Sequence, residues 1–274
     1  GGVRSFVALR VLTAAVGIPL LAFAALSESL WPVKVLAIFI FAFGSYEISR
    51  NEPDVPRWCS LLLAAAFVFC AVLWQGDGSS VLAIGVLISN IVLWFEVLGD
   101  RGHGRGRAFG TAILQVAWLG FGSLLLIAIR SQDARSLDAF SLSNGSALML
   151  TLLCVWAGDS AGYFVGKSMG KHKLAPVLSP KKTWEGSIGN FTAALLAGSL
   201  IGPYFGLNLI SSVAIGATVG VLGQVGDLFQ SAWKRSVDIK DSGSLLPGHG
   251  GVLDRFDSLI YSAPAVVLIL QWLS

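Results

Sequence analysis

The polar residues of this 274-residue chain are most concentrated near its C-terminus. Between Gly226 and Asp257, 32 residues hold five aspartates, four lysines or arginines, one histidine and five glycines. Carboxylates at this density can bind a divalent metal, because hard cations such as magnesium prefer oxygen ligands and share them with substrate phosphates. The interleaved cations could then bind the phosphate charge. This stretch therefore predicts a site for phosphoryl or nucleotidyl transfer.

A second candidate residue is Asp159, which lies between small residues inside an apolar run. An ionisable side chain is costly in hydrocarbon, so its presence there indicates a functional site. The alternative is a structural role in which Asp159 only pairs with a neighbouring helix.

A third candidate is the segment from Lys171 to Gly186, which contains two prolines and several lysines. Ser179, Lys182 and Thr183 stand just before the next apolar run. Free N–H groups at the start of a helix, together with lysines, favour phosphate binding. The alternative is a plain basic loop, which would not need the Ser-Pro, Trp and Glu residues found here.

Long apolar runs surround these candidates. Apolar residues make up 54% of the chain and charged residues only 13%, whereas a soluble domain carries roughly 25% charged residues. A transmembrane helix needs about 20 apolar residues, and nine runs approach that length: Phe6–Leu26, Trp31–Ser49, Trp58–Gln75, Ser79–Leu98, Phe109–Ile129, Ser146–Gly166, Gly186–Gly202, Leu207–Phe229 and Ser258–Leu273. We expect the first run to be a retained span, since it exceeds a typical signal-peptide core.

The runs predict an all-α integral membrane protein of about nine transmembrane helices, with a polar site built from the C-terminal half. Residues 1–145 would form N-terminal transmembrane helices. Residues 146–274 would form the catalytic transmembrane region of one continuous membrane domain.

Lysine and arginine are distributed unequally between the two predicted faces of the membrane. One face holds 16 of the 19: Arg4, Arg10, Arg50, Arg57, Arg101, Arg105, Arg107, Lys167, Lys171, Lys173, Lys181, Lys182, Lys234, Arg235, Lys240 and Arg255. The other holds Lys34, Arg130 and Arg135. Cytoplasmic loops carry the excess of positive charge, so we expect the polar site to face the cytoplasm, in a bacterial inner membrane. The alternative for several of these cations is that they only set topology.

The C-terminal cluster contains a long series of residues at fixed spacing: Ser231, Lys234, Arg235, Lys240, Asp241, Gly243, Pro247, Gly248, His249, Gly250, Gly251, Asp254, Arg255 and Asp257. This series resembles the motif of the phosphatidate cytidylyltransferase family, the CDP-diacylglycerol synthases. The upstream Ser179, Pro180, Lys182, Thr183 and Trp184 are similar to a second element of that family. The resemblance covers roughly residues 155 to 260.

The resemblance implies that CTP and phosphatidate react to give CDP-diacylglycerol and pyrophosphate, with magnesium as cofactor. Two magnesium ions are expected, with Asp227 and Asp254 as first ligands and Asp257 and Asp159 as the next candidates. We expect the cations to bind phosphate, Ser231 and Asp159 to contact substrate, and Asp241 and His249 to orient groups or assist proton transfer. The phosphate-binding cations would be Lys234, Arg235, Lys240 and Arg255, with Lys182, Ser179 and Thr183 binding a second anion.

Several alternatives stay open. A CTP-dependent lipid kinase or a CDP-archaeol-type synthase could use a similar site, although the complete motif argues against both. An ion-coupled transporter would place its carboxylates near the bilayer midplane and in inverted repeats, and we find neither. The expected partners are CTP, membrane phosphatidate and the lipid bilayer, without nucleic acid. Gly216 and Gly220, four residues apart, could serve a homodimer contact.

Overall fold

A computed structural model describes residues 2–52, 57–74, 110, 114–133, 146–246, 248 and 250–273. Its helices are α1 (Gly2–Leu26), α2 (Trp31–Asn51), α3 (Arg57–Leu73), α4 (Phe121–Asp133), α5 (Ser146–Met169), α6 (Trp184–Ile201), α7 (Leu209–Ser236) and α8 (Leu253–Trp272). A π-helical segment, Leu114–Gly120, leads into α4, and a 3₁₀ turn, Gly202–Phe205, follows α6. The predicted helical membrane architecture is confirmed in this general form.

Five helices are long and apolar enough to cross a membrane by length and composition. They contain Leu9–Leu26, Trp31–Asn51, Ala147–Met169, Trp184–Phe205 and Leu209–Ser236. The predicted third and fifth runs correspond to the shorter apolar stretches Leu63–Leu73 and Trp118–Ser131. The fourth predicted run, Ser79–Leu98, lies outside the described residues. Nine crossings are therefore not confirmed.

The segment expected to be a loop before α6 contains a small antiparallel hairpin. Strand β1 (Lys173–Ala175) pairs with β2 (Ser179–Thr183), and Lys173 lies opposite Thr183. Pro180 is tolerated in β2 because a two-stranded hairpin has free edges where a missing N–H breaks no ladder bond. The hairpin fixes Lys182 close to the first turn of α6.

Glycines allow α5, α6 and α7 to pack closely. A Cβ added to Gly216 of α7 would lie 2.7 Å from the carbonyl oxygen of Ala194 in α6, and one on Gly220 would lie 3.0 Å from the Phe191 ring. Small residues of this kind let helix backbones approach and gain van der Waals contact. The Gly216 and Gly220 face is thus used inside the chain, and it does not support the expected homodimer contact.

Polar contacts join neighbouring helices at the end of the bundle opposite the predicted site. Lys34, near the start of α2, donates to the carbonyl oxygens of Val72 (3.0 Å) and Trp74 (2.6 Å) at the end of α3. Asn208, before α7, donates to the carbonyl oxygen of Leu273 at the end of α8. The C-terminal end of α2 and the N-terminal end of α8 consequently lie together at the other end, where the predicted site residues are found.

Candidate active site

Helix α7 carries the first part of the site. The predicted apolar run ends at Phe229, but the helix continues to Ser236, because cations in a last helical turn interact favourably with the helix dipole. Asp227, Ser231 and Lys234 are spaced by four and three residues and share one face. The Ser231 hydroxyl lies 3.5 Å from Asp227 Oδ1.

The hairpin brings a lysine to this face. Lys182 Nζ lies 2.6 Å from Asp227 Oδ2, and the two side chains are 25% and 41% exposed. The neighbouring Thr183 is buried, and its hydroxyl accepts the N–H of Gly186 at 3.2 Å as the N-cap of α6. Thr183 therefore starts the helix that follows the hairpin, while Lys182 joins the site.

Asp254, in the first turn of α8, accepts more hydrogen bonds than any other carboxylate among the described residues. Its Oδ1 accepts from Lys234 Nζ at 2.7 Å and from Gln230 Nε2 at 2.9 Å. Its Oδ2 accepts from the N–H groups of Ser242 (2.9 Å) and Gly251 (3.2 Å), and the Ser242 hydroxyl is 3.0 Å away. Burial alone would raise the pKa of Asp254, but Lys234 and these N–H groups outweigh it and hold the pKa below its usual value.

Two further carboxylates lie beside these pairs. Asp159 of α5 accepts from the Asn190 amide at 3.3 Å, and the buried Asp257 of α8 accepts the Ser258 N–H at 2.7 Å. Asp159, Asp227 and Asp257 lie within electrostatic range of one another, and Arg255 lies within range of Asp159. The site therefore gathers residues that are 98 positions apart in sequence.

The arrangement fits magnesium in the chemistry of its donors. Within the described parts of the chain, no three His, Cys, Asp or Glu side chains form a ready-made metal site. Magnesium usually binds through one or two carboxylates, several waters and substrate phosphates, and the neighbouring Asp159, Asp227 and Asp257 offer donors of that type. Asp254 would have to release existing donors before it could bind a metal.

Other predicted residues lie at the edge of this network. Arg235 is exposed and donates to the Ile239 carbonyl oxygen at 3.0 Å, while Lys240 and Asp241 are exposed in the loop after α7. Ser179 begins β2 and is partly buried. His249 and Pro247 lie outside the described residues.

Sequence reasoning missed Glu47, because every predicted site residue follows position 158. Glu47 of α2 is only 2% exposed. Its carboxylate accepts from the Ser242 hydroxyl (2.8 Å) and from the N–H groups of Val252 (2.8 Å) and Leu253 (3.1 Å). The available signal was that Glu47 is the one acidic residue in the predicted run Trp31–Ser49, and such residues indicate function.

Comparison with known proteins extends the resemblance over nearly the whole chain. A family model described as "Cytidylyltransferase family" matches residues 8–273. A phosphatidate cytidylyltransferase of Bacillus subtilis (strain 168) is 34% identical over 253 residues, covering 86% of this chain and 89% of the relative. Its counterpart in Staphylococcus aureus (strain COL) is 36% identical over 188 residues, covering 68% and 67%. The counterpart in Staphylococcus epidermidis (strain ATCC 12228 / FDA PCI 1200) is 34% identical over 247 residues, covering 86% and 90%. The family expected from the motif is confirmed: this membrane protein belongs to the cytidylyltransferase family.

Proposed function

We propose that this protein is a phosphatidate cytidylyltransferase, which converts CTP and phosphatidate into CDP-diacylglycerol and pyrophosphate. The observation that carries the proposal is the network of paired cations and carboxylates at one end of an apolar helix bundle. Lys182 pairs with Asp227, and Lys234 pairs with Asp254. Relatives that align with most of this chain bear the same enzyme name.

The reaction needs alignment and charge neutralisation more than a strong base. A phosphate monoester has a second pKa of about 6, so the phosphatidate oxygen is largely ionised at neutral pH. That oxygen forms a bond to the α-phosphorus of CTP, and the bond to the departing pyrophosphate breaks. Lys182, Lys234 and Arg255 would bind the phosphates and neutralise the charge that gathers on them.

Carboxylates of the same network would hold magnesium. Asp227 is the best-placed ligand, since only Ser231 and Lys182 bond to it among the described residues, and Asp159 and Asp257 lie close by. Asp254 is the other ligand expected from the sequence. Magnesium, when bound, would neutralise phosphate charge and help to hold the nucleotide in line.

We also infer that the site faces the cytoplasm, where CTP is made available to the enzyme. The support is the concentration of lysine and arginine at the site end of the helices and in the segments that connect them there. The described members of this group include Lys182, Lys234 and Arg255, while Lys34 lies at the opposite end.

The proposal is tested with detergent-purified protein given CTP, phosphatidate and magnesium, and with each omitted in turn. We expect pyrophosphate release and CDP-diacylglycerol only when all three are present, and no product after chelation of the metal. Asp227→Asn should lower magnesium-dependent turnover by roughly 100-fold or more, as expected for loss of a group that acts on the reacting phosphates.

The matched control is Asp238→Asn. Asp238 is exposed after α7 at φ 55°, a conformation that asparagine also adopts readily, so this variant should keep wild-type turnover. Full turnover in Asp227→Asn would contradict the metal assignment. A phosphorylated lipid with a nucleoside diphosphate would instead identify a lipid kinase.

A further inference from the structure

Helix α8 begins without a capping side chain of its own. Its N-cap is Val252, which makes no side-chain cap bond, so the first N–H groups of the helix need acceptors from elsewhere. Glu47 supplies them by accepting from Val252 and Leu253. A carboxylate is also favoured at this position by the positive end of the helix dipole. The start of α8 thus depends on a residue about 200 positions earlier in the chain.

Ser242 connects Glu47 to Asp254. Its hydroxyl lies 2.8 Å from Glu47 Oε2 and 3.0 Å from Asp254 Oδ2. A hydroxyl carries a single proton and donates to one acceptor at a time. Ser242 also donates its backbone N–H to Asp254, so a shift of Ser242 would move the acceptor that pairs with Lys234.

Two glycines leave just enough room for the Glu47 carboxylate. A Cβ added to Gly243 would lie 2.5 Å from Glu47 Oε1, and one added to Gly251 would lie 2.6 Å from Glu47 Oε2. Real Cβ atoms do not approach other heavy atoms this closely, so a larger residue at either position would force the Glu47 carboxylate or the backbone beside it to move. Gly243 and Gly251 are therefore packed directly against Glu47.

We propose that Glu47 is a positioning residue, which holds Ser242 and the first turn of α8 where Asp254 meets Lys234. Its effect on turnover rests on the proposed function. Its effect on the loop does not, because the hydrogen bonds involved are within the chain.

The test compares Glu47→Gln, Ser242→Ala and the double variant with wild-type protein. Glu47→Gln keeps the size of the side chain but loses the negative charge facing the two N–H groups. We expect each single variant to lower kcat for CDP-diacylglycerol formation about tenfold or more, as is common for residues that orient the groups acting on a substrate. Because the two residues act as one unit, the double variant should be no slower than the slower single variant.

Hydrogen exchange supplies a readout that needs no substrate. Peptides covering residues 242–255 should exchange at least about tenfold faster in Glu47→Gln, since the N–H groups of Val252 and Leu253 lose a charged acceptor. Peptides from α5 should be unchanged. The control is Glu28→Gln, the same chemical change at an exposed site beyond the other end of α2, which should alter neither measurement.

The outcomes separate the two proposals. If wild-type protein forms no CDP-diacylglycerol while exchange rises only at residues 242–255, the proposed function fails and the positioning of the loop stands. Wild-type kcat together with unchanged exchange in Glu47→Gln would overturn the positioning role. Faster exchange throughout the helices would also overturn it, because Glu47 would then support the whole fold. Should Glu47→Gln not fold, Ser242→Ala carries the same tests, with faster exchange at residues 242–255 expected.

Discussion

The two lysine–aspartate pairs of the site should respond differently to the same substitution. Lys182 and Asp227 are 25% and 41% exposed, whereas Lys234 and Asp254 are 15% and 10% exposed. Exposed pairs contribute about 0.2–1 kcal/mol to folding. Removing one partner of a buried pair costs about 3–5 kcal/mol, because the remaining charge is left uncompensated.

For Lys234→Gln, the structure predicts a smaller loss of stability than the one typical of a buried pair. Asp254 would keep the amide of Gln230 and the N–H groups of Ser242 and Gly251, so its charge would stay partly compensated after the lysine is lost. We therefore expect Lys234→Gln to lower the free energy of unfolding by about 2–3 kcal/mol. Lys182→Gln should lower it by less than about 1 kcal/mol.

The loss of activity in these two lysine variants should not follow their loss of stability. Both lysines are proposed to bind phosphate, so each variant should lose roughly 100-fold in kcat/KM. Unfolding in mixed micelles and CDP-diacylglycerol synthesis by the folded fraction measure the two effects separately. Lys173→Gln, at the exposed first position of β1, is the control and should change neither. Equal destabilisation by Lys182→Gln and Lys234→Gln would show that burial does not set the stability of these pairs. Normal turnover of Lys182→Gln would contradict its phosphate role.

Two further predictions concern helix packing and acid stability. Gly216→Ala would force α6 and α7 apart and should lower the free energy of unfolding by about 1–3 kcal/mol, which thermal unfolding measures. The control is Gly17→Ala, where an added Cβ meets nothing within 4 Å, and this variant should not be destabilised. Equal melting temperatures for the two variants would contradict the close contact between α6 and α7. Because the folded-state pKa of Asp254 is lowered, its contribution to stability should be complete above about pH 4 and be lost as the pH falls through that lowered pKa. Asp254→Asn should remove this part of the acid dependence in unfolding measured from about pH 2 to pH 6, and an unchanged profile would contradict the prediction.

Much of the architecture and the family of this protein could be predicted from patterns of consecutive residues. Hydrophobic run length is a property of consecutive residues, so it indicated the membrane helices before any packing was known. The fixed spacing from Ser231 to Asp257 likewise indicated the family. The bounds of α7 and the hairpin were not predictable in this way, because hydropathy does not show where a helix continues past the apolar region.

Composition and residue spacing are encoded locally, and they were enough to identify a helical membrane protein whose aspartates and cations are concentrated near the C-terminus. Which of these charges meet could not be predicted from composition or spacing. Lys182 pairs with Asp227 because a hairpin turns back onto α7, and Lys234 pairs with Asp254 because α7 and α8 pack side by side. Glu47 reaches the site because α2 ends beside the start of α8. Such contacts depend on helix packing between distant segments, and no local pattern specifies them.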